Sequence, residues 1–227
     1  MGARSLWHHR CVEIAVAADG SPVAVYLALP AGRAPGIIHD ATVSGGSILE
    51  LGSGPGRITH PLLDLGHEVV AVDDSQAMLD HIQGAETVLA DVFTLNLGRT
   101  FDAVVAGSHL INKPDSLQRR LLLEVCRRHV SDDGVVLIER YDPEWASSPS
   151  PRDGQAGPVR VAFRLTELRT GSFNATVTYT LDGQQWSQSF SAASVTDDML
   201  TTESESVGLE FSGWLTDDRL WAILKPA

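Results

Sequence analysis

The sequence predicts an α/β fold: a largely parallel sheet with helices on both faces, followed by a smaller antiparallel sheet. Three observations carry this. Between residues 46 and 141, short β-branched runs alternate with helix-patterned segments. One junction is a glycine-rich loop that follows a strand and opens a helix. After Arg140 the pattern changes to longer β-patterned stretches joined by a hairpin signal.

Residues 1–45 read as an irregular opening segment. Within it, 23–29 is apolar around Tyr26, then Pro30, Gly32, Pro35 and Gly36 break the chain, and 37–41 begins a short helix. The first strand, 47–51, ends in Gly52. A helix is expected over 57–65, where Pro61 fits only near the first turn. Strand 68–72 is β-branched, and helix 75–81 starts from Ser75 as its N-cap. Strands follow at 87–90 and 101–106. Helix 116–130 puts Leu121, Leu122 and Val125 on one face and arginines on the other, and 134–138 is the fifth strand.

Residues 142–158, rich in Pro, Ser, Asp and Gly, read as a long loop and a candidate lid. Stretches 159–168, 174–181 and 186–192 are β-patterned, with Asp182-Gly183 as the turn between the last two. A helix over 194–206 and strands at 209–214 and 220–224 close the chain. The expected organisation is one domain: opening segment 1–45, core 46–141, loop and inserted strands 142–193, closing helix and last two strands 194–227.

Composition narrows the function. With 227 residues, 43% of them hydrophobic, the chain can bury a core without staples. A formal charge of −12 repels polyphosphate, so no nucleic-acid substrate is expected. No apolar run is long enough to cross a bilayer, and residues 1–10 lack the apolar core of a signal peptide. The expected compartment is the cytoplasm, with no membrane partner. Cys11 and Cys126 form neither a metal spacing nor a disulfide framework. His8, His9 and Glu13 read as surface, because adjacent side chains in an extended segment point apart. No metal is predicted.

The strongest signal is Glu50-Leu51-Gly52-Ser53-Gly54-Pro55-Gly56-Arg57. Glycines there let backbone approach a ligand closely, and the following helix start presents free N–H groups. Asp73 ends the second strand about 20 residues later, where a carboxylate is placed to accept from ribose hydroxyls. A dinucleotide site is disfavoured, because the third glycine of that motif belongs at position 57, which is Arg57.

The run from Ile48 to Asn112 resembles class I S-adenosylmethionine-dependent methyltransferases. Four pieces carry the likeness: the glycine loop above, Val72-Asp73-Asp74-Ser75 with Met78-Leu79, Ala90-Asp91-Val92, and Phe101-Asp102-Ala103-Val104-Val105. The resemblance implies a Rossmann-like, seven-stranded, mostly parallel sheet with an antiparallel last strand, plus a small inserted antiparallel sheet. It also implies S-adenosyl-L-methionine as donor and S-adenosyl-L-homocysteine as product.

By the same resemblance, Gly52, Gly54 and Gly56 pack beneath the adenosine and methionine portions, and Glu50 orients the loop, toward the donor amine. Asp73 accepts from the ribose, and Asp74 and Met78 flank the adenine. Asp91 and the Val92 N–H meet the adenine edge, Ser108 lies near the methionine portion, and Tyr26 folds over the donor. Structural alternatives stand beside these roles: Asp73 as a helix cap, Asp91 as a turn residue, Met78 and Tyr26 as core.

Methyl transfer from a sulfonium is an in-line displacement that gains from alignment and from a base when the acceptor must lose a proton. In open α/β sheets the ligand sits beyond the strand carboxyl ends. The loops after the fourth and fifth strands therefore hold the candidates. His109 is the leading base, since its ordinary pKa lies near neutrality. Its alternative is a backbone hydrogen bond that shapes the pocket. Tyr141 is a second catalytic candidate, and Asn112, Asp142 and Trp145 are candidate substrate contacts.

No Asn/Asp-Pro-Pro-Tyr or Pro-Cys motif follows the fourth strand, and Asp142 alone makes a thin metal site. The expected activity is methylation of N or O on a small molecule; specialised metabolism is what the resemblance implies, together with a basic complement nearly all arginine, in which only Lys113 and Lys225 are lysines. A non-catalytic donor-binding scaffold or sensor is the alternative. The inserted strands are a candidate substrate wall or homodimer face.

Overall fold

The computed structural model describes residues 15–227; His8, His9, Cys11 and Glu13 lie outside them. The opening segment is not irregular where it is described. It forms two short helices, α1 (Val23–Ala28) and α2 (Ala34–Ala41). Pro35, expected to break the chain, stands in the first turn of α2, where a missing N–H leaves nothing unpaired.

The main sheet then assembles through β1 (Ser47–Leu51), α3 (Thr59–Asp64), β2 (Glu68–Asp73), α4 (Gln76–Leu79), β3 (Glu86–Leu89), β4 (Phe101–Ala106), α5 (Ser116–His129) and β5 (Val130–Glu139). Residues 48–51, 69–72 and 103–106 are all buried. Unbroken buried runs of this kind belong to parallel strands covered on both faces.

Next come α6 (Pro143–Ser147), β6 (Arg152–Ala156), β7 (Val159–Arg169), β8 (Ser172–Leu181), β9 (Gln184–Ala193), α7 (Asp197–Glu205), β10 (Leu209–Trp214) and β11 (Trp221–Pro226). The loop expected over 142–158 is instead a helical turn and a strand. Asp142 accepts the Glu144 N–H and Pro143 opens the turn, so this Asp-Pro pair starts a helix. Residues Arg152–Ala156 pair antiparallel with β7 as an edge strand.

The seven-stranded sheet has the order β10-β11-β5-β4-β1-β2-β3, and β11 runs against its neighbours on both sides. The winding direction switches between β1 and β4, so the loops after them diverge and leave a crevice at their carboxyl ends. Leu49, Leu51, Val72, Val104 and Ile138 pack toward Leu122 and Val125 of α5, while Ile48, Val105, Leu137 and Trp221 pack toward Ile38 and Leu62.

A second sheet, β6-β7-β8-β9, is wholly antiparallel. Asp182 and Gly183 take φ of 50° and 80° at the β8–β9 turn, the geometry a two-residue hairpin requires. One face carries Phe173, Ala175 and Val177 inward. The other carries hydroxyls, with Thr176 paired to Ser189 and Thr178 to Ser187. Asn112 joins the two sheets: its Nδ2 donates to the Ala193 carbonyl at 2.8 Å, and its Oδ1 accepts the Tyr141 N–H at 3.0 Å.

Candidate active site

The glycine loop turns on three left-handed residues, Gly52, Gly54 and Gly56, with φ of 70°, 57° and 91°. Residues with a Cβ take up that conformation only at a cost of roughly 1–2 kcal/mol each. The glycines serve different ends. A Cβ at Gly54 meets nothing within 4 Å, so its bare face looks onto open space. A Cβ at Gly56 meets His60 Cε1 at 2.6 Å, so that glycine lets α3 pack. The Gly52 and Ser53 N–H groups donate to the Val72 carbonyl, and the Gly54 N–H donates to Asp73 Oδ2 at 2.8 Å. Asp73 Oδ1 accepts the Ser75 N–H at 3.0 Å.

Asp73 thus fixes the loop through the Gly54 and Ser75 N–H groups and also borders the crevice; it does not itself cap α4, whose N-cap is Ser75. Burial raises the Asp73 pKa against the opposing pull of those two N–H groups. Ser75 stands at the N-cap of α4 without a side-chain cap bond.

A cavity of about 320 Å³ lies at the carboxyl ends of β1, β2 and β4. It brings together Tyr26, Gly52, Gly54, Asp73, Asp74, Met78, Asp91, Val92, Ser108, His109, Asn112 and Tyr141 from the sequence-derived candidates. Asp19, Asp73, Asp74 and Asp91 give it a carboxylate-rich lining, with Lys113 as the cation among the lining residues. Such a field favours a cationic ligand. Asp91 also accepts the Phe93 N–H at 2.8 Å, so its turn reading holds alongside its place in the cavity.

Glu50 and Gly56 do not border the cavity. Glu50 is 3% exposed and accepts from Thr59 Oγ1 at 2.6 Å, and burial pushes its pKa up to about 7. Asp142 is absent from the lining and caps α6 instead. Trp145 lines a second cavity of about 490 Å³ beneath the inserted sheet, which shares Tyr141 and Phe190 with the first.

The turn after β4 is strained. Ser108 and His109 have φ of 51° and 60°, a left-handed pair that non-glycine residues adopt at functional sites at a cost of about 1–3 kcal/mol each. Glu139 at the end of β5 holds it, Oε2 accepting the Ser108 N–H at 2.6 Å. Arg57 reaches from the glycine loop, donating to Ser108 Oγ at 3.0 Å and to the Pro30 carbonyl at 3.0 Å.

His109 stacks on Tyr141 with centroids 3.9 Å apart and planes 27° from parallel. Its Nδ1 is buried with no hydrogen-bond partner. Burial lowers its pKa, against a weaker pull upward from the Glu139 carboxylate. The imidazole is therefore neutral at neutral pH, with an unengaged nitrogen. Burial raises the Tyr141 phenol pKa, so that hydroxyl stays protonated and can only donate or accept a hydrogen bond.

Sequence reasoning missed Glu139, Arg57, Asp19 and Gln188. Gln188 on β9 donates to Ser21 Oγ at 2.9 Å and accepts from the Tyr26 hydroxyl at 3.4 Å, docking the opening segment on the inserted sheet. Only Glu139, at a parallel-strand end, gave a positional hint; the others depend on contacts between segments distant in the chain.

The family model described as "Methyltransferase domain" matches residues 48–134, the stretch holding β1, β2, β4 and the crevice. Residues 48–134 are thus similar to a methyltransferase domain. Their fold is that of the class I S-adenosylmethionine-dependent enzymes. The cypemycin N-terminal methyltransferase of Streptomyces sp. is 29% identical over 108 residues, which span 44% of this chain and 44% of that protein.

An S-adenosylmethionine-dependent methyltransferase from Clostridium acetobutylicum superposes with a TM-score of 0.75 at 14% identity, covering 89% of this chain and 94% of that one. S-adenosylmethionine-bound CalS10, an amino pentose methyltransferase from Micromonospora echinaspora, gives 0.66 at 20% identity, covering 87% and 90%. At such identities these structures speak to the fold. Both alignments extend well past residues 48–134, across most of the chain.

Proposed function

We propose that this chain transfers the methyl group of S-adenosyl-L-methionine to a nitrogen or oxygen of a small molecule, in the cytoplasm and in specialised metabolism, releasing S-adenosyl-L-homocysteine. The observation that carries the donor half is the cradle itself: the bare face of Gly54 and the Asp73 carboxylate open onto a cavity lined by four aspartates. A cationic, ribose-bearing molecule fits that donor set. The CalS10 structure was solved with this molecule bound. Asp73 and Asp74 would hold the ribose end, with Asp91 and Val92 at the base and Ser108 toward the amino-acid end. When bound, the donor supplies an electrophilic methyl group.

The protein's own residues then align and deprotonate. Burial around His109 and Tyr141 excludes water, and holding two reactants in a near-attack geometry is worth roughly 7–11 kcal/mol. His109, neutral and with Nδ1 unpartnered, takes the proton from the acceptor atom. Tyr141, pinned by Asn112 through its backbone and by the stacked imidazole, orients the acceptor.

Titration calorimetry with S-adenosyl-L-methionine, then methyl transfer to a panel of amines and phenols, tests the reading. His109→Asn should cut kcat by about 10²-fold with donor affinity retained. Because burial lowers the His109 pKa, the acid-side decline of kcat in the unsubstituted protein should fall at a lower pH than an ordinary imidazole would give. Loss of donor affinity in His109→Asn, with kcat unchanged, would leave the histidine as a shaping residue. No binding of the donor at all would remove the proposal.

A further inference from the structure

The second cavity has a chemistry of its own. Its walls are Tyr141, Trp145, Phe163, Tyr179 and Phe190, a wall of aromatic faces. Trp145 lies 5.5 Å from Phe163 and 5.4 Å from Tyr141 between ring centroids, and Tyr141 stacks on His109. The aromatic wall therefore runs without interruption into the first cavity. Protein interiors normally close such space by packing, and an apolar pocket of several hundred Å³ is the size of a ligand site.

Two features of β6 show that the space is kept open and marked. Gly154 stands opposite Val161, and a Cβ there meets nothing within 4 Å. Arg152 stands opposite Phe163 on the same face of the sheet, exposed at the mouth of the cavity, and its guanidinium lies 5.1 Å from the Trp145 ring centre. Asp153, its neighbour, pairs outward with Arg164. Among the described residues Arg152 has no ion-pair partner. A guanidinium held by an indole ring in a cation–π contact keeps N–H groups free for a carboxylate.

We infer that the second cavity holds the methyl acceptor, and that it selects a planar aromatic molecule bearing an acidic group, the ring against Trp145 and Phe163 and the acid on Arg152. This rests on the donor occupying the first cavity. The placement leaves the acceptor's opposite, polar end at the Tyr141–His109 boundary, while the aspartates keep the acid out of the donor side.

Calorimetry on the full chain saturated with S-adenosyl-L-homocysteine, using 3-(4-hydroxyphenyl)propionate, tyramine and glucosamine as probes, tests this. The aromatic acid should bind about tenfold more tightly than either other probe, the worth of one charge-assisted pairing. Arg152→Ala should erase that preference. Gly154→Leu, which fills the cavity from a strand position with room for a side chain, should abolish acid binding and leave S-adenosyl-L-homocysteine affinity as it was.

Equal or tighter binding of tyramine or glucosamine, no binding of the acid to the loaded protein, or full acid binding in Gly154→Leu overturns the inference alone. Failure of S-adenosyl-L-homocysteine to bind the unsubstituted chain removes the donor reading, and this inference with it.

Discussion

The two cavities meet at Tyr141 and Phe190 but are built by different means. The first rests on a floor shaped by backbone, with left-handed glycines, N–H groups held by Asp73 and by the Val72 carbonyl, and strand ends at the switch between β1 and β4, and aspartates line it. The second is made of side chains, aromatic rings contributed by β5's exit, α6 and three strands of the inserted sheet. A backbone site tolerates few residues at fixed positions. A side-chain site tolerates many, provided the volume and the faces are kept. The same parallel scaffold can then keep one donor site while the covering sheet is re-lined for different acceptors.

The sharpest way to break the backbone-built cavity is Gly56→Val. The residue combines φ of +91° with a Cβ that would strike His60 at 2.6 Å. The left-handed cost and the overpacking together predict a loss of about 4 kcal/mol. Urea unfolding should show it as a lower midpoint at unchanged slope. By contrast, Gly154→Leu in the second cavity should leave the midpoint nearly where it is. Equal losses at the two glycines would erase the distinction.

Glu50→Gln separates stability from function within the first region. The buried carboxyl titrates at about 7 in the fold, above its ordinary 4.5. The folded state then holds a proton that the unfolded chain releases. That contribution is whole below pH 4.5 and disappears as pH rises through 7. Glutamine, neutral throughout, should therefore stabilise the protein by up to about 3 kcal/mol at pH 8 and by nothing near pH 4.5. Melts at the two pH values check this, and an equal effect at both contradicts it. A loss of donor affinity in the same variant would show that the loop needs the charge.

These differences explain what was legible in the sequence. The alternation of strands and helices, the Gly52–Gly56 loop, Asp73 and Asp91 sit at fixed chain spacings because backbone geometry demands them. The structure gathers the cavity-facing ones as that spacing implied. Pro35 and the Asp142-Pro143 pair misled, because a proline that breaks a helix from within starts one from its first turn. Arg152–Ala156 reads as loop because an exposed edge strand needs no alternation of apolar residues. Trp145 was visible as an aromatic after the fifth strand, but its partners Phe163 and Tyr179 come from the inserted sheet. No local pattern joins them.

Asn112 is the bolt between the regions, and Asn112→Ala should cost about 2 kcal/mol. It strips two hydrogen bonds from a residue only 2% exposed, leaving the Ala193 carbonyl and the Tyr141 N–H short of partners. Hydrogen exchange should quicken at Tyr141 and at the end of β9, while the β1–β2 pairing keeps its protection. Uniform loosening across both sheets would mean the two regions are one cooperative unit with no seam at Asn112.

The smallest expected effect falls on Arg57, which is half-buried and reaches outward from the backbone-built cavity. Its guanidinium links the glycine loop to the strained Ser108 turn and to the Pro30 carbonyl beyond α1. Each bond is partly open to solvent, so Arg57→Ala should lower global stability by no more than about 1 kcal/mol. Its consequence is local. Without the clamp, the segment around α1 keeps its buried Val23 and Val25 and the hydrogen bonds among Tyr26, Ser21 and Gln188 of the inserted sheet. Hydrogen exchange over α1 should rise several-fold more than over β1. Donor Km should rise with it, since Tyr26 and Ser108 both border the first cavity. Arg57→Lys can reach only one of the two acceptors as a point charge, and should recover part of the effect. If lysine restores everything, one of the two contacts suffices to hold the opening segment.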